Sequence, residues 1–161
     1  MPRHPGPAFA LEHPAHFVAL GFGVGAVPRA PGTFGTLLAL PLWWLLDALL
    51  GPLALAGVLC ALFALGVWAC ALTGRHLGAA DHGAMVWDEI VAFMLVLSVI
   101  PKAWPWQLAA FILFRLFDIA KPPPIRAVER RFKGGFGVML DDLLAAGYTV
   151  LVLALVRRVL F

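Results

Sequence analysis

At 161 residues the chain has the length of one domain, and a composition 62% hydrophobic and only 13% charged, with mean hydropathy +0.92, excludes an ordinary soluble protein, in which about 25% of residues are charged. The net charge of +3 and pI near 9.3 do not indicate nucleic acid, because the basic residues lie between apolar segments and form no stripe with stacking aromatics. Anionic lipid headgroups fit that layout better.

The first residues, MPRHPGPAFALEHPAH, have no apolar stretch followed by a small-residue cleavage site, so 1–16 reads as a flexible tail with no cleavable signal peptide. Residues 17–25 are apolar but too short to span and read as a half-buried interfacial helix. In GVGAVPRAPGTFGT, Pro28, Pro31, Gly32 and Gly35 are helix breakers. Arg29, Thr33 and Thr36 offer donors just before an apolar run at 37–50, with Thr33 or Thr36 as the expected N-cap and a phosphate as a ligand suited to that helix start.

A second span, 53–73, follows Gly51-Pro52 so closely that the two must run antiparallel. A polar break at 74–83 carries Arg75, His76, Asp81 and His82; the histidines read as lining a solvated loop, and Asp81 as a weaker site candidate. A third apolar segment, 85–100, has Asp88 and Glu89 in its first turn, and PKAWP then turns the chain with Trp104 and Trp106 at a membrane interface. A fourth segment occupies 107–120, a loop 121–137, and a last segment 138–160 ends on Arg157 and Arg158, which can snorkel. Cys60 and Cys70, ten residues apart in one apolar run, read as core thiols beyond disulfide reach. The expected fold is all-α: one domain over 1–161, a multihelical integral membrane bundle of about five membrane helices with short cytoplasmic-side loops.

Charge bias orients it. Arg3, Arg29, Arg75, Lys121, Arg126, Arg130, Arg131 and Lys133 fall on one side, against Lys102, Arg157 and Arg158 on the other, so the first side is cytoplasmic. On that assignment Arg29, Thr33, Asp81, Asp88, Glu89, Asp118, Lys121, Asp141 and Asp142 gather at the same ends of their helices.

Three carboxylate sites in one layer, Asp88/Glu89, Asp118 and Asp141/Asp142, would repel one another, and a hard divalent cation such as Mg²⁺ resolves that. Arg115, Lys121 and Arg29 would then meet phosphate. Together these point to phosphoryl chemistry on a lipid. The motifs of other routes are missing: neither cysteine has an arginine at C-x5-R spacing, the acidic pairs are adjacent where a phospho-aspartyl motif needs D-x-D, and K-x6-R-P and D-G-x2-A-R are both absent.

Simpler readings compete. Acids at helix starts stabilise the macrodipole, Arg115 and Asp118 have the spacing of a structural i,i+3 pair, and Arg126, Arg130, Arg131 and Lys133 read as lipid-surface charge. A rival function is a small membrane transporter using one-sided carboxylates, although transporters tend to keep such acids near mid-span.

FRLFDIAKPPPI and GGFGVMLDDLLA, with VWDEIVAF upstream and VPRAPGTFGT near the start, resemble phosphatidylglycerophosphatase A, a bacterial membrane enzyme family, over about Gly21 to Tyr148. Pro123, Ala92 and the position of Gly147 depart from the family pattern, which touches packing more than charge. The resemblance implies an all-α fold, Mg²⁺ dependence, and release of phosphate from phosphatidylglycerophosphate to give phosphatidylglycerol in the bacterial inner membrane. It places the acidic motif on Asp88 and Glu89, the R-x-x-D-x-x-K motif on Arg115, Asp118 and Lys121, and the last motif on Gly134, Gly135, Gly137, Asp141 and Asp142. The expected metal ligands are drawn from Asp88, Glu89, Asp118, Asp141 and Asp142, with one uncoordinated carboxylate orienting water, and the catalytic candidates are Asp118, Asp142, Arg115 and Lys121. Arg115 and Lys121 are expected to neutralise phosphate charge, with Arg29, Thr33 and the Gly134-Gly135 backbone as further phosphate contacts. A covalent phospho-aspartate is an open alternative.

Overall fold

A computed structural model of the chain describes residues 5–160. Arg3 lies outside them. The elements are α1 (Pro7–Glu12), α2 (Pro14–Ala19), a 3₁₀ turn (Val24–Ala26), α3 (Pro31–Leu49), α4 (Pro52–Leu77), α5 (Trp87–Val99), α6 (Trp104–Ala120), α7 (Ile125–Arg131) and α8 (Gly135–Leu160). No strand occurs among the described residues.

Prolines set most of the starts. α1, α2, α3, α4 and α6 each carry proline in their first turn, where a missing N–H costs nothing and the fixed φ suits the helix. This corrects the reading of Pro31, Gly32 and Gly35 as breakers, since α3 begins at Pro31, well before position 37, and contains all three. The N-cap is Ala30, in the left-handed region at φ 50°, and neither Thr33 nor Thr36 caps the helix. Thr36 instead donates its hydroxyl to the Gly32 carbonyl at 2.8 Å inside the first turns. α4 runs to Leu77 and stops at Gly78, whose φ of 69° suits glycine, with its N–H donating to the carbonyls of the last turn.

α5 is the axis of the bundle. Its sequence is apolar almost all round, the mark of a helix enclosed by others, and Ile90, Phe93, Met94, Val96 and Leu97 are all buried. α3 and α5 run parallel: Gly32 abuts Glu89 at one end, while Trp43 Nε1 donates to Ser98 Oγ at 2.9 Å and Lys102 pairs with Asp47 at the other. α4 and α8 flank α5, and α6 closes against α8. Between lipid-bathed helices the driving force is close packing, which small residues permit. Gly135 shows it: a methyl group there would run into the Val67 carbonyl and the Ala71 backbone of α4.

Three helices are long and apolar enough to cross a membrane, Pro31–Leu49, Pro52–Leu77 and Gly135–Val159. The five expected spans each correspond to a helix, but α5 with 13 residues and α6 with 17 fall short of the roughly 20 that a bilayer core needs. Leu45, Leu49, Leu53, Trp104, Leu108, Ile112, Leu151 and Leu155 are exposed outward, a belt suited to lipid. Cys70 is buried as expected, but Cys60 is exposed on the outer surface of α4.

The stretch expected as a tail forms two helices from Pro7 on, and α2 packs against α4. Buried His16 fixes that contact: its Nδ1 faces the Phe9 carbonyl at 3.1 Å and its Nε2 lies 2.7 Å from His76 Nδ1. His76, expected in a solvated loop, is exposed but bound into this pair on the last turn of α4.

Candidate active site

Four helix ends meet around the first turn of α5. Asp88 and Glu89 lie in that turn, where the positive end of the helix dipole favours carboxylates. Asp142 projects from the second turn of α8, and Arg115 and Asp118 from the last turns of α6. The start of α3 completes the floor: a methyl on Gly32 would strike the Glu89 carboxylate and the Arg115 guanidinium, so only glycine lets that backbone so close.

Arg115 is the clasp. Its Nη1 donates to Asp118 Oδ2 at 2.5 Å and to Glu89 Oε1 at 3.3 Å, with all three side chains largely removed from solvent. Asp118 in turn faces the Asp142 carboxyl. Oxygens of Asp88, Glu89 and Asp142 lie within 4.8 Å of one another, little more than twice a Mg²⁺–oxygen distance of about 2.1 Å. Asp88 Oδ1, Glu89 Oε2 and Asp142 Oδ2 are buried with no hydrogen-bond partner among the described residues. So is Arg115 Nε, a donor with nothing to donate to. Partnerless buried carboxylate oxygens are costly. Four acids against one guanidinium leave a surplus of negative charge that a divalent cation would offset, so the residues present fit the expected metal.

A second cluster lies beside the first. Lys121, at the C-cap of α6 with φ 43°, sends its Nζ to Asp141 at 2.8 Å, Glu129 at 3.1 Å and Asp81 at 3.8 Å. Burial works against the ammonium, but the hydrogen bonds and charge of Asp141 and Glu129 outweigh it and hold the Lys121 pKa above its ordinary value. Asp81 is pushed above the usual carboxylate range, first by the protein packed around its carboxyl and then by Glu129 and Asp118, with Lys121 opposing. A recess of about 110 Å³ opens here, walled by Asp81, Glu129, Asp141 and Gly134. These three acids also converge closely enough for a metal, but they already share a cation, the Lys121 ammonium.

The expected site residues are thus divided. Asp88, Glu89, Asp118, Asp142 and Arg115 come together; Asp141 and Lys121 belong to the neighbouring cluster. Thr33 is half-buried one residue from Gly32, whereas Arg29 is exposed with no ion pair among the described residues. Gly134 turns the chain at φ 81° and borders the recess, while Gly135 is a packing contact with α4. Glu129 was missed by sequence reasoning because, in IRAVERRF, it looks like one acid in a basic surface run. The only signal for it was the spacing of eight residues from Lys121, which has no meaning until α7 folds back.

The sequence profile described as Phosphatidylglycerophosphatase A matches residues 17–157. The chain is 44% identical over 151 residues to the Phosphatidylglycerophosphatase A of Haemophilus influenzae, covering 93% of each chain. It is 39% identical over 150 residues to that of Escherichia coli, covering 90% of this chain and 86% of the relative. A Bacteroides thetaiotaomicron protein, 42% identical over 150 residues and covering 89% of this chain and 93% of its own, is provisionally named a phosphatidylinositol-3-phosphatase. No solved structure matches. With the profile spanning most of the chain and two relatives matching nearly end to end, the chain belongs to the phosphatidylglycerophosphatase A family.

Proposed function

We propose that the chain hydrolyses the terminal phosphate monoester of phosphatidylglycerophosphate, giving phosphatidylglycerol and phosphate, at the cytoplasmic face of a bacterial inner membrane. The observation that carries this reading is the convergence of Asp88, Glu89 and Asp142, with partnerless buried oxygens, beside an arginine whose Nε is also unpartnered. Membership of the family supports the substrate. The charge bias supports the side: Arg29, Arg75, Lys121 and the basic α7 lie at the same end of the bundle as the carboxylates. α3, α4, α5, α6 and α8 would all sit in the bilayer, with short α5 enclosed by its neighbours and α6 presenting Leu108 and Ile112 to lipid.

Asp88, Glu89 and Asp142 would hold Mg²⁺, with Asp118 at the edge of the set. When bound, the ion would polarise the phosphoryl group and ease deprotonation of water. Arg115, anchored through Nη1 on Glu89 and Asp118, would offer Nε to a phosphate oxygen and neutralise charge that grows in the transition state. Asp118, fixed by Arg115 and facing Asp142, would accept the proton of the attacking water. The new P–O bond forms as the bond to the glycerol oxygen breaks; that oxygen takes up a proton from solvent, and Asp118 releases the one it accepted, so the site returns to its starting state. Lys121, engaged by three acids, would tether the 121–134 segment over the site, its charge balanced within its own cluster.

The test is phosphate release from phosphatidylglycerophosphate in detergent micelles with Mg²⁺ and with EDTA. Release that stops with EDTA and returns with Mg²⁺ is expected. A folded protein that releases nothing with any divalent cation would sink the reading.

A further inference from the structure

A groove of about 750 Å³ runs along the outer surface of α5 between α3, α4 and α8. Its near end is lined by Val91, one turn beyond Asp88 on α5, and by Leu143, the residue after Asp142 on α8. From there Val91, Leu95 and Val99 follow the spacing of one helix face. The far end is rimmed by the Asp47–Lys102 ion pair. From Asp88 to Val99 the helix rises about 16 Å, close to one leaflet, half of the about 30 Å hydrocarbon core.

We propose that this groove holds an acyl chain of the lipid substrate while its phosphate lies at the carboxylates. The inference rests on the proposed phosphatase reading and adds where the lipid's apolar part is bound. Three observations favour a substrate chain over any other occupant. The groove adjoins the residues that would hold the headgroup, its walls are mostly apolar with Ser98 beside the Asp47–Lys102 rim, and the α5 stretch from the carboxylates to Val99 rises about the depth of one leaflet. A lipid seated this way stays in the bilayer while its headgroup is processed, and the ion pair would limit how long a chain fits.

The experiment uses the full chain in phosphatidylcholine nanodiscs. Phosphatidylglycerophosphate with a diazirine near the end of one acyl chain is photolysed, and adducts are mapped by mass spectrometry. Adducts on Leu59, Leu95 and Val99, suppressed by excess unlabelled phosphatidylglycerophosphate, are expected. Adducts spread over outward residues such as Leu108 and Ile112, equal labelling by a diazirine phosphatidylcholine, or chain-to-chain products at the groove would each overturn the proposal. Kinetics give an independent arm: Ala56→Trp narrows the groove, whereas Ala54→Trp, exposed and outside it, is the control. Ala56→Trp should raise KM for a long-chain substrate about tenfold, the effect of denying burial to roughly two methylenes, with kcat kept and a dihexanoyl substrate unaffected. Equal KM for both variants would contradict the groove. Failure of the phosphatase reading looks different: wild type would release no phosphate even where headgroup-dependent labelling of the groove persists.

Discussion

Asp141 and Asp142 are neighbours in the chain but serve different clusters: Asp141 Oδ2 accepts from Lys121 at 2.8 Å, while Asp142 converges with Asp88 and Glu89. Consecutive residues on a helix point about 100° apart. One turn of α8 thereby joins a lysine-filled cluster to a carboxylate set short of positive charge.

Lys121→Met should therefore weaken structure before chemistry. It would leave Asp141, which is 3% exposed, facing Glu129 and Asp81 without their cation. The expected loss is about 2 kcal/mol, between the exposed and fully buried limits for a broken pair. A lower Tm in detergent, with proteolysis appearing first in 121–134, checks this. An unchanged Tm with abolished activity would instead put Lys121 on the substrate phosphate.

Arg115→Lys keeps the charge but cannot hold Glu89 and Asp118 while presenting a further N–H. The expected fall in kcat/KM is about 100-fold, mostly in kcat, with Tm nearly unchanged. Full activity in the lysine variant would mean that the bridging geometry is not used.

Gly135→Val places a branched side chain against the α4 backbone at Val67 and Ala71. Overpacking of this kind costs about 1–3 kcal/mol, so Tm should drop. At Gly134, by contrast, nothing stands near the missing Cβ and only the positive φ is strained, so Gly134→Asn should be milder.

The His16 contact carries a pH dependence. Burial lowers the His16 pKa below its ordinary value of 6.5, the Phe9 carbonyl opposes this, and His76 and His13 lower it further. The folded state then binds fewer protons than the unfolded one, so this contribution is present above pH 6.5 and is lost as pH falls toward the lowered folded value. Wild type should lose Tm on acidification through that range more steeply than His16→Phe. Parallel profiles would show that folding leaves the proton affinity of His16 unchanged.

Much of this arrangement could be read from the residues. Apolar runs separated by polar breaks located α3, α4, α5, α6 and α8, and the one-sided charge placed Asp88, Glu89, Asp118 and Asp142 in one layer. Helix starts were less legible, because Pro31 and Gly32 mean a break or a first turn depending on what packs beneath them, here Glu89 and Arg115. The split of Asp141 from Asp142 depends on which face of α8 meets α5, and Glu129 enters only because α7 folds back over Lys121. α1 and α2 were hidden for a similar reason. Six-residue helices have little intrinsic stability, and their order comes from the docking of His16 on His76.

The most direct test of the account is a Mg²⁺ titration of phosphate release from phosphatidylglycerophosphate by wild type, Asp142→Asn and Asp141→Asn, with folding checked by Tm. Asp142→Asn should lose at least about 100-fold in activity or shift the Mg²⁺ requirement by that factor, whereas Asp141→Asn should respond to Mg²⁺ at the wild-type concentration with lower stability. The same Mg²⁺ midpoint for wild type and a folded, active Asp142→Asn, or a midpoint shifted by Asp141→Asn alone, would contradict a cation held by Asp88, Glu89 and Asp142.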